Sequence, residues 1–178
     1  VQDQSLYEDD ATVTIADPAI DKALDSSSES GTIGSALTIG EQVTFEVTVT
    51  LPESQCTNLT VTDNIPAGFR YEDGSLSVAS AGAAVTLGSP ASITPDSPHA
   101  FSSGEDVSIT FSGVTTVAGA TSLADRQFTL QLTATVLDDA ANNWLSPAKT
   151  NTATLDWDEN PGAPLSDDLA LTIVEPRL

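Results

Sequence analysis

Val43-Thr44-Phe45-Glu46-Val47-Thr48-Val49-Thr50-Leu51 places an apolar side chain at every second position and Thr or Glu between them. Successive side chains of a strand point to opposite faces, so the stretch predicts a long strand with one buried and one solvated face. The same rhythm returns in Phe128, Leu130, Leu132, Ala134 and Val136, with Thr129, Gln131, Thr133 and Thr135 between them. Val107, Ile109 and Phe111 mark a shorter strand. Further strands are expected near 12–16, 19–24, 58–63, 75–79, 84–87, 150–157 and 169–174. Turn formers separate them: Pro66-Ala67-Gly68, Asp73-Gly74, Pro95-Asp96-Ser97-Pro98 and Asn160-Pro161-Gly162. No long helical stripe occurs, although 119–126 has room for one helical turn. Many short strands between turn signals predict an all-β chain folded as an antiparallel sandwich.

Composition narrows the function. The 178 residues suffice for one core, with hydrophobic content of 39% and aromatic content of 5%. Twenty-six acidic residues against 5 basic ones give a net charge of -21. Nucleic-acid affinity comes from neutralising phosphates, so nucleic acid is not an expected partner, and neither is an anionic membrane surface. Such a charge suits divalent cations or a salty exterior, and it also serves simple solubility. Cys56 is the only cysteine, so no disulfide closes within the chain, and no basic group or His near it in sequence activates the thiol. No apolar run is long enough to span a membrane. Val1 is not a native start, so a mature chain or a piece of a longer one is expected.

Three polar residues fall on apolar faces. Alternation groups Lys22 with Ile20 and Leu24, Asp63 with Leu59 and Val61, and Asn151 with Ala153, Leu155 and Trp157. A buried lysine, acid and amide are costly unless they meet. If they meet, the set holds the groups of a Lys–Asn amide cross-link. The plainer readings are a Lys22–Asp63 ion pair with Asn151 bonded to backbone, or a register one residue off that puts all three in solvent. Lys149 is a second, weaker nucleophile candidate.

The two ends resemble each other. Asp10-Ala11-Thr12-Val13-Thr14-Ile15-Ala16-Asp17-Pro18-Ala19-Ile20 aligns at constant offset with Asp168-Leu169-Ala170-Leu171-Thr172-Ile173-Val174-Glu175-Pro176-Arg177-Leu178. The shared Thr-Ile-x-acid-Pro ending indicates a repeat boundary. Two copies of one strand cannot occupy one slot in a sheet, so either the parent is a tandem array or the extra strand completes a neighbour's sheet. The organisation expected is a linker and terminal strand over 1–18, equivalent to 159–176. A sandwich core follows over 19–157, then a terminal hairpin strand and linker over 158–178.

Leu37-Thr38-Ile39-Gly40-Glu41-Gln42-Val43-Thr44-Phe45-Glu46-Val47-Thr48-Val49, Asn58-Leu59-Thr60-Val61-Thr62-Asp63-Asn64-Ile65-Pro66-Ala67-Gly68-Phe69-Arg70-Tyr71 and Thr150-Asn151-Thr152-Ala153-Thr154-Leu155 together carry a resemblance. Over roughly 19–157 the chain resembles the conserved-repeat domains of bacterial and archaeal surface proteins and the related fimbrial isopeptide-forming domains. The resemblance implies an Ig-like antiparallel β-sandwich with Greek-key connections, set in a stalk, adhesin, surface layer or filament outside the cell. It implies neighbouring copies of the same protein as partners. In the cross-linking members a first-strand Lys bonds to a last-strand Asn with an acid assisting, and Lys22, Asn151 and Asp63 fall at the matching positions.

The remaining constellations are weaker. Asp9, Asp10, Asp17, Asp158, Asp167 and Asp168 lie in acidic clusters that calcium, which takes several oxygen ligands, suits, although no EF-hand spacing is present. Asn58-Leu59-Thr60 matches a glycosylation sequon. His99 stands alone in a predicted loop, and neither a nucleophile elbow nor a phosphate-binding glycine loop accompanies it, so no enzyme is expected. The alternative function is a calcium-dependent module that binds carbohydrate or protein.

Overall fold

The computed structural model describes residues 18–32, 34–95, 102–119, 122–142 and 148–174. Twelve strands follow in order: β1 (Ala19–Ser27), β2 (Ala36–Leu37), β3 (Gln42–Thr50), β4 (Ser54–Ile65), β5 (Phe69–Tyr71), β6 (Ser77–Ala81), β7 (Val85–Leu87), β8 (Pro90–Thr94), β9 (Glu105–Thr116), β10 (Gln127–Val136), β11 (Lys149–Asp156) and β12 (Leu165–Ile173). The helical turn expected within 119–126 is a 3-10 turn at Ala124–Arg126. The predicted strand over 12–16 and His99 lie outside the described residues.

Two sheets face each other. The first runs β1-β3-β10-β5, with β6 also paired to β10. The second runs β2-β12-β11-β4-β9-β7, with β8 also on β9. Every pairing is antiparallel except the short β12–β2 contact. Chain neighbours β3 and β4 lie in different sheets, as do β10 and β11, which is the crossing connectivity of an Ig-like Greek key.

The alternation read from sequence builds the core directly. Val43, Phe45, Val47 and Val49 from β3 and Phe128, Leu130, Leu132 and Ala134 from β10 meet Leu59, Val61, Ile109, Phe111 and Leu155 of the second sheet, all within 3% of full burial. Each such side chain contributes roughly 1.5–3 kcal/mol on leaving water. Phe111 and Phe128 meet edge to face across the core, with ring centres 5.9 Å apart.

One irregularity matters for the site. In β4 both Cys56 and Leu59 point inward, a spacing that strict alternation forbids. Asn58 lies between them with φ of 48°, a left-handed conformation that Asn tolerates better than most residues. Its partner β9 slips phase at the same level, between inward Phe111 and inward Val114. Beyond the slip, β4 alternates without fault through Leu59, Val61, Asp63 and Ile65, and this regularity turns Asp63 into the core.

Candidate functional site

Lys22, Asp63 and Asn151 are all buried, at 5%, 2% and 0% exposure, so each strand presents its polar residue to the interior. Lys22 comes from β1 in the first sheet, opposite Val47 of β3. Asp63 and Asn151 come from the second sheet, where Asp63 pairs directly with Ala153. Asn151 is two residues before Ala153, on the same face, and is thus a diagonal neighbour of Asp63.

The Lys22 Nζ donates to Asp63 Oδ2 in a fully buried ion pair. The same ammonium stands 4.6 Å from the centre of the Phe45 ring, whose π face attracts a cation. The Asn151 amide is close enough to favour the charged form of Asp63. Even so, neither Asn151 Nδ2 nor Oδ1 makes a hydrogen bond of regular geometry, and Asp63 Oδ1 has no partner. An amide with both polar atoms buried and unsatisfied is expensive, since each lost partner costs about 1–3 kcal/mol. Burial pushes the Lys22 ammonium below the ordinary lysine range, against the opposing pull of Asp63. Burial likewise raises the Asp63 carboxyl, against the opposing charge and hydrogen bond of Lys22 and the nearby Asn151 amide. Both shifts run toward a neutral amine beside a protonated acid.

Asp167 joins this neighbourhood, a position the sequence offered only as a metal ligand. Its Oδ2 accepts the backbone N–H of Lys22 at 2.7 Å, stitching β12 in one sheet to the edge of β1 in the other. The Asp-Asp pair within an alternating strand was the available signal, but alternation alone does not show what the inward acid meets.

The other acids are engaged separately. Asp158 accepts from Asn58 Nδ2 at 2.8 Å, and Asp168 from Thr152 Oγ1 at 2.6 Å. Among the described residues no group of three or more His, Cys, Asp or Glu is placed to hold a metal ion. Asp9, Asp10 and Asp17 lie outside the described residues. Asn58 is exposed at its sequon. Cys56 is buried, and burial pushes its thiol up. Lys149 is half-buried at the start of β11. Among the described residues no helix is long and apolar enough to cross a membrane.

The two sheets define an Ig-like sandwich, and it carries a buried Lys–Asp–Asn set between them. No family model and no curated protein sequence matches the chain. Solved structures do. BcpA, the major pilin subunit of Bacillus cereus, is similar with a TM-score of 0.51 and 13% identity, over 89% of this chain and 40% of the pilin. The pilus backbone RrgB from Streptococcus pneumoniae is similar with a TM-score of 0.51 and 18% identity, over 83% of this chain and 33% of that one. The chain therefore spans well under half the length of either pilin. Identities this low establish a common architecture, and it is the architecture that the sequence resemblance implied.

Proposed function

We propose that this chain is an extracellular mechanical unit of a cell-surface stalk, adhesin or filament, closed internally by a Lys22–Asn151 isopeptide bond. The observation that carries the reading is the Asn151 carboxamide, buried with both polar atoms unsatisfied beside a buried Lys–Asp pair. An amide that is the acyl donor of a cross-link needs no other partner.

The chemistry balances with the groups present. Neutral Lys22 Nζ attacks Asn151 Cγ while the protonated Asp63 carboxyl polarises the amide oxygen. Asp63 then relays the proton lost by Nζ to Nδ2. The Cγ–Nδ2 bond breaks, ammonia leaves, and Cγ–Nζ becomes the new amide. Holding the reactants in a dry, fixed site replaces much of the need for an external catalyst. The product bridges the two sheets, which resists their separation under tension. Neighbouring units of the same kind are the partners that this work requires.

Intact mass of the denatured protein tests the bond. The expected mass is lower than that of the sequence by one ammonia, and Lys22→Ala and Asn151→Ala each restore the difference after allowing for the substitution. An unmodified mass in the parent chain removes the cross-link.

A second reading has one observation in its favour. On the outer face of the second sheet, Asn58, Thr60, Thr154, Asp156, Trp157 and Asn160 line an open polar groove of about 630 Å³. Hydroxyl, amide and carboxylate groups beside an indole suit a saccharide. A glycan array with and without calcium checks it, and a Trp157→Ala protein should lose any signal.

A further inference from the structure

The lysine of the proposed cross-link sits on an edge strand. β1 pairs with β3 alone in its sheet, and its register slips between Leu24 and Ser26, just past Lys22. A strand bonded on one side only is held loosely, and a flexible four-carbon stem adds to the spread of Nζ positions. Asn151 is better fixed, on β11 with β12 on one side and β4 on the other.

Asp167 supplies the missing side. Its Oδ2 accepts the Lys22 N–H at 2.7 Å, on the edge of β1 that β3 leaves free. Asp63, Ala153 and Asp167 form one inward row across β4, β11 and β12. Two strand spacings, about 9.5 Å, separate the two acids. Lys22 spans that row, with its main chain on Asp167 and its ammonium on Asp63. Ala153 lies between the acids, fully buried, and its single methyl leaves the lysine stem room to cross β11. Asn151 is the neighbouring inward position on β11, one step from the row. Asp167 does not act on the ammonium itself. Burial and Asp63 are what move the Lys22 ammonium, and among the described residues Asp167 enters no ion pair. Acids are poor strand formers, so strand propensity does not account for Asp167 in mid-strand, whereas its bond to Lys22 does.

We propose that Asp167 is the positioning residue of the cross-linking reaction: by accepting the Lys22 N–H it seats the lysine backbone against the second sheet, so that Nζ meets the Asn151 carboxamide. The inference rests on the reading of Lys22 and Asn151 as reactants. Asp167 bonds to the lysine main chain, away from the reacting atoms, and exchanges no proton in the step. The acid–base work stays with Asp63. An order of events follows. Before β12 docks, Asp63 and Asn151 can already share a sheet, but the lysine strand is anchored only to β3. The bond therefore forms on the completed fold, and an unfinished sandwich is not locked.

The rate of bond formation in the full chain tests it. A short pulse of cell-free synthesis starts the clock, and the chase is held well below the thermal midpoint of every variant. Samples quenched in acid are weighed intact, and the share of molecules short of one ammonia is followed beside the share that is folded. A reactant misplaced by about 1 Å costs about 100-fold in rate. Asp167→Ala is therefore expected to slow the loss of ammonia from folded molecules by about 10–100-fold. Asp167→Asn keeps an oxygen acceptor at the same reach and should stay within about 5-fold of the parent. Asp167→Glu keeps the charge but moves the acceptor by one methylene, and should be as slow as Asp167→Ala. Asp168→Ala removes only the outward bond to Thr152 and should react at the parent rate. A parent that never loses ammonia ends the cross-link reading and this proposal with it. A parent that reacts, beside an Asp167→Ala protein with a lowered midpoint but an unchanged rate, marks a merely structural acid and overturns the proposal alone. So does Asp167→Glu reacting at least as fast as Asp167→Asn, and that contrast decides the matter if Asp167→Ala does not fold.

Discussion

The two flanks of the sandwich are closed in different ways. Where β1 meets β12, buried polar groups join the sheets: the Lys22–Asp63 pair and the Asp167 bond to the β1 backbone. On the far flank β6 and β8 are exposed along their whole lengths, and an apolar cleft of about 330 Å³ opens among Tyr71, Leu76, Pro90 and Ile93. Both flanks face the same problem, two sheets whose edges must be covered. The first is covered with directional bonds that fail sharply when one partner is removed. The second uses short strands and partial apolar contact that tolerate change. The difference teaches which flank a single side-chain change can open. The first and last described strands, β1 and β12, lie on the directional flank.

The largest effect should come from Asp63→Ala. It leaves the Lys22 ammonium buried without its counter-ion, and breaking a buried pair from one side costs about 3–5 kcal/mol. Replacing the pair together, Lys22→Met with Asp63→Leu, should recover the share of the loss due to the stranded charge but not the share due to the cross-link, since a well-packed apolar pair is often as stable as the ions it replaces. Chemical denaturation of the single and double variants measures both. A double variant as unstable as Asp63→Ala would mean that the flank is held by packing around the pair rather than by the charges.

A smaller effect with a definite sign follows for pH. Burial already raises the Asp63 carboxyl, and Lys22→Met removes the cation that opposes that rise. A folded-state pKa above the unfolded value contributes stability that is complete below the unfolded value, near about 3.9, and is lost as pH rises through the folded value. Lys22→Met should therefore be more stable at mildly acidic pH than at neutral pH, relative to the parent. Thermal midpoints of both proteins across that range check the sign, and a difference that grows toward acid would contradict it.

How far the sequence reached follows the same division. Lys22, Asp63 and Asn151 were legible because each continues an unbroken apolar alternation, and period two admits only one face. The phase slip at Asn58 was not legible, since a left-handed residue inside a strand leaves no trace in hydrophobicity. It did no harm only because it falls before Leu59. The role of Asp167 was hidden because its partner is a backbone N–H in the opposite sheet. The far flank was read least well. β5 and β8 are three and five residues long, too short for a period to register, and β8 has no buried position to mark it.

On the far flank one buried directional contact is at Tyr71. Its hydroxyl accepts the buried backbone N–H of Leu76 at 3.0 Å, which holds the turn between β5 and β6. Tyr71→Phe keeps the ring and leaves that N–H without its acceptor, at a cost of about 1–3 kcal/mol. The loss should be local, with amide hydrogen exchange quickening at Leu76 and through β6 while β1 and β12 stay protected. Exchange that quickens equally on both flanks would show that they unfold as one unit and that the contrast between them is not energetic.

The smallest effect separates the flanks most cleanly. Ile93 is 36% exposed on β8, and Val78 is 40% exposed on β6. Both are β-branched, so Ile93→Thr and Val78→Thr keep strand propensity and change only exposed apolar surface on the far flank. Surface changes of this kind usually fall within about 0.5 kcal/mol of neutral, and these two should as well. The same exchange at Leu171, fully buried in β12, removes a packed side chain and inserts a hydroxyl, for which about 2–5 kcal/mol is expected. Denaturation of the three single variants sets the values side by side. If Ile93→Thr cost as much as Leu171→Thr, the cleft would belong to the core, and the far flank would be as tightly built as the one where β1 meets β12.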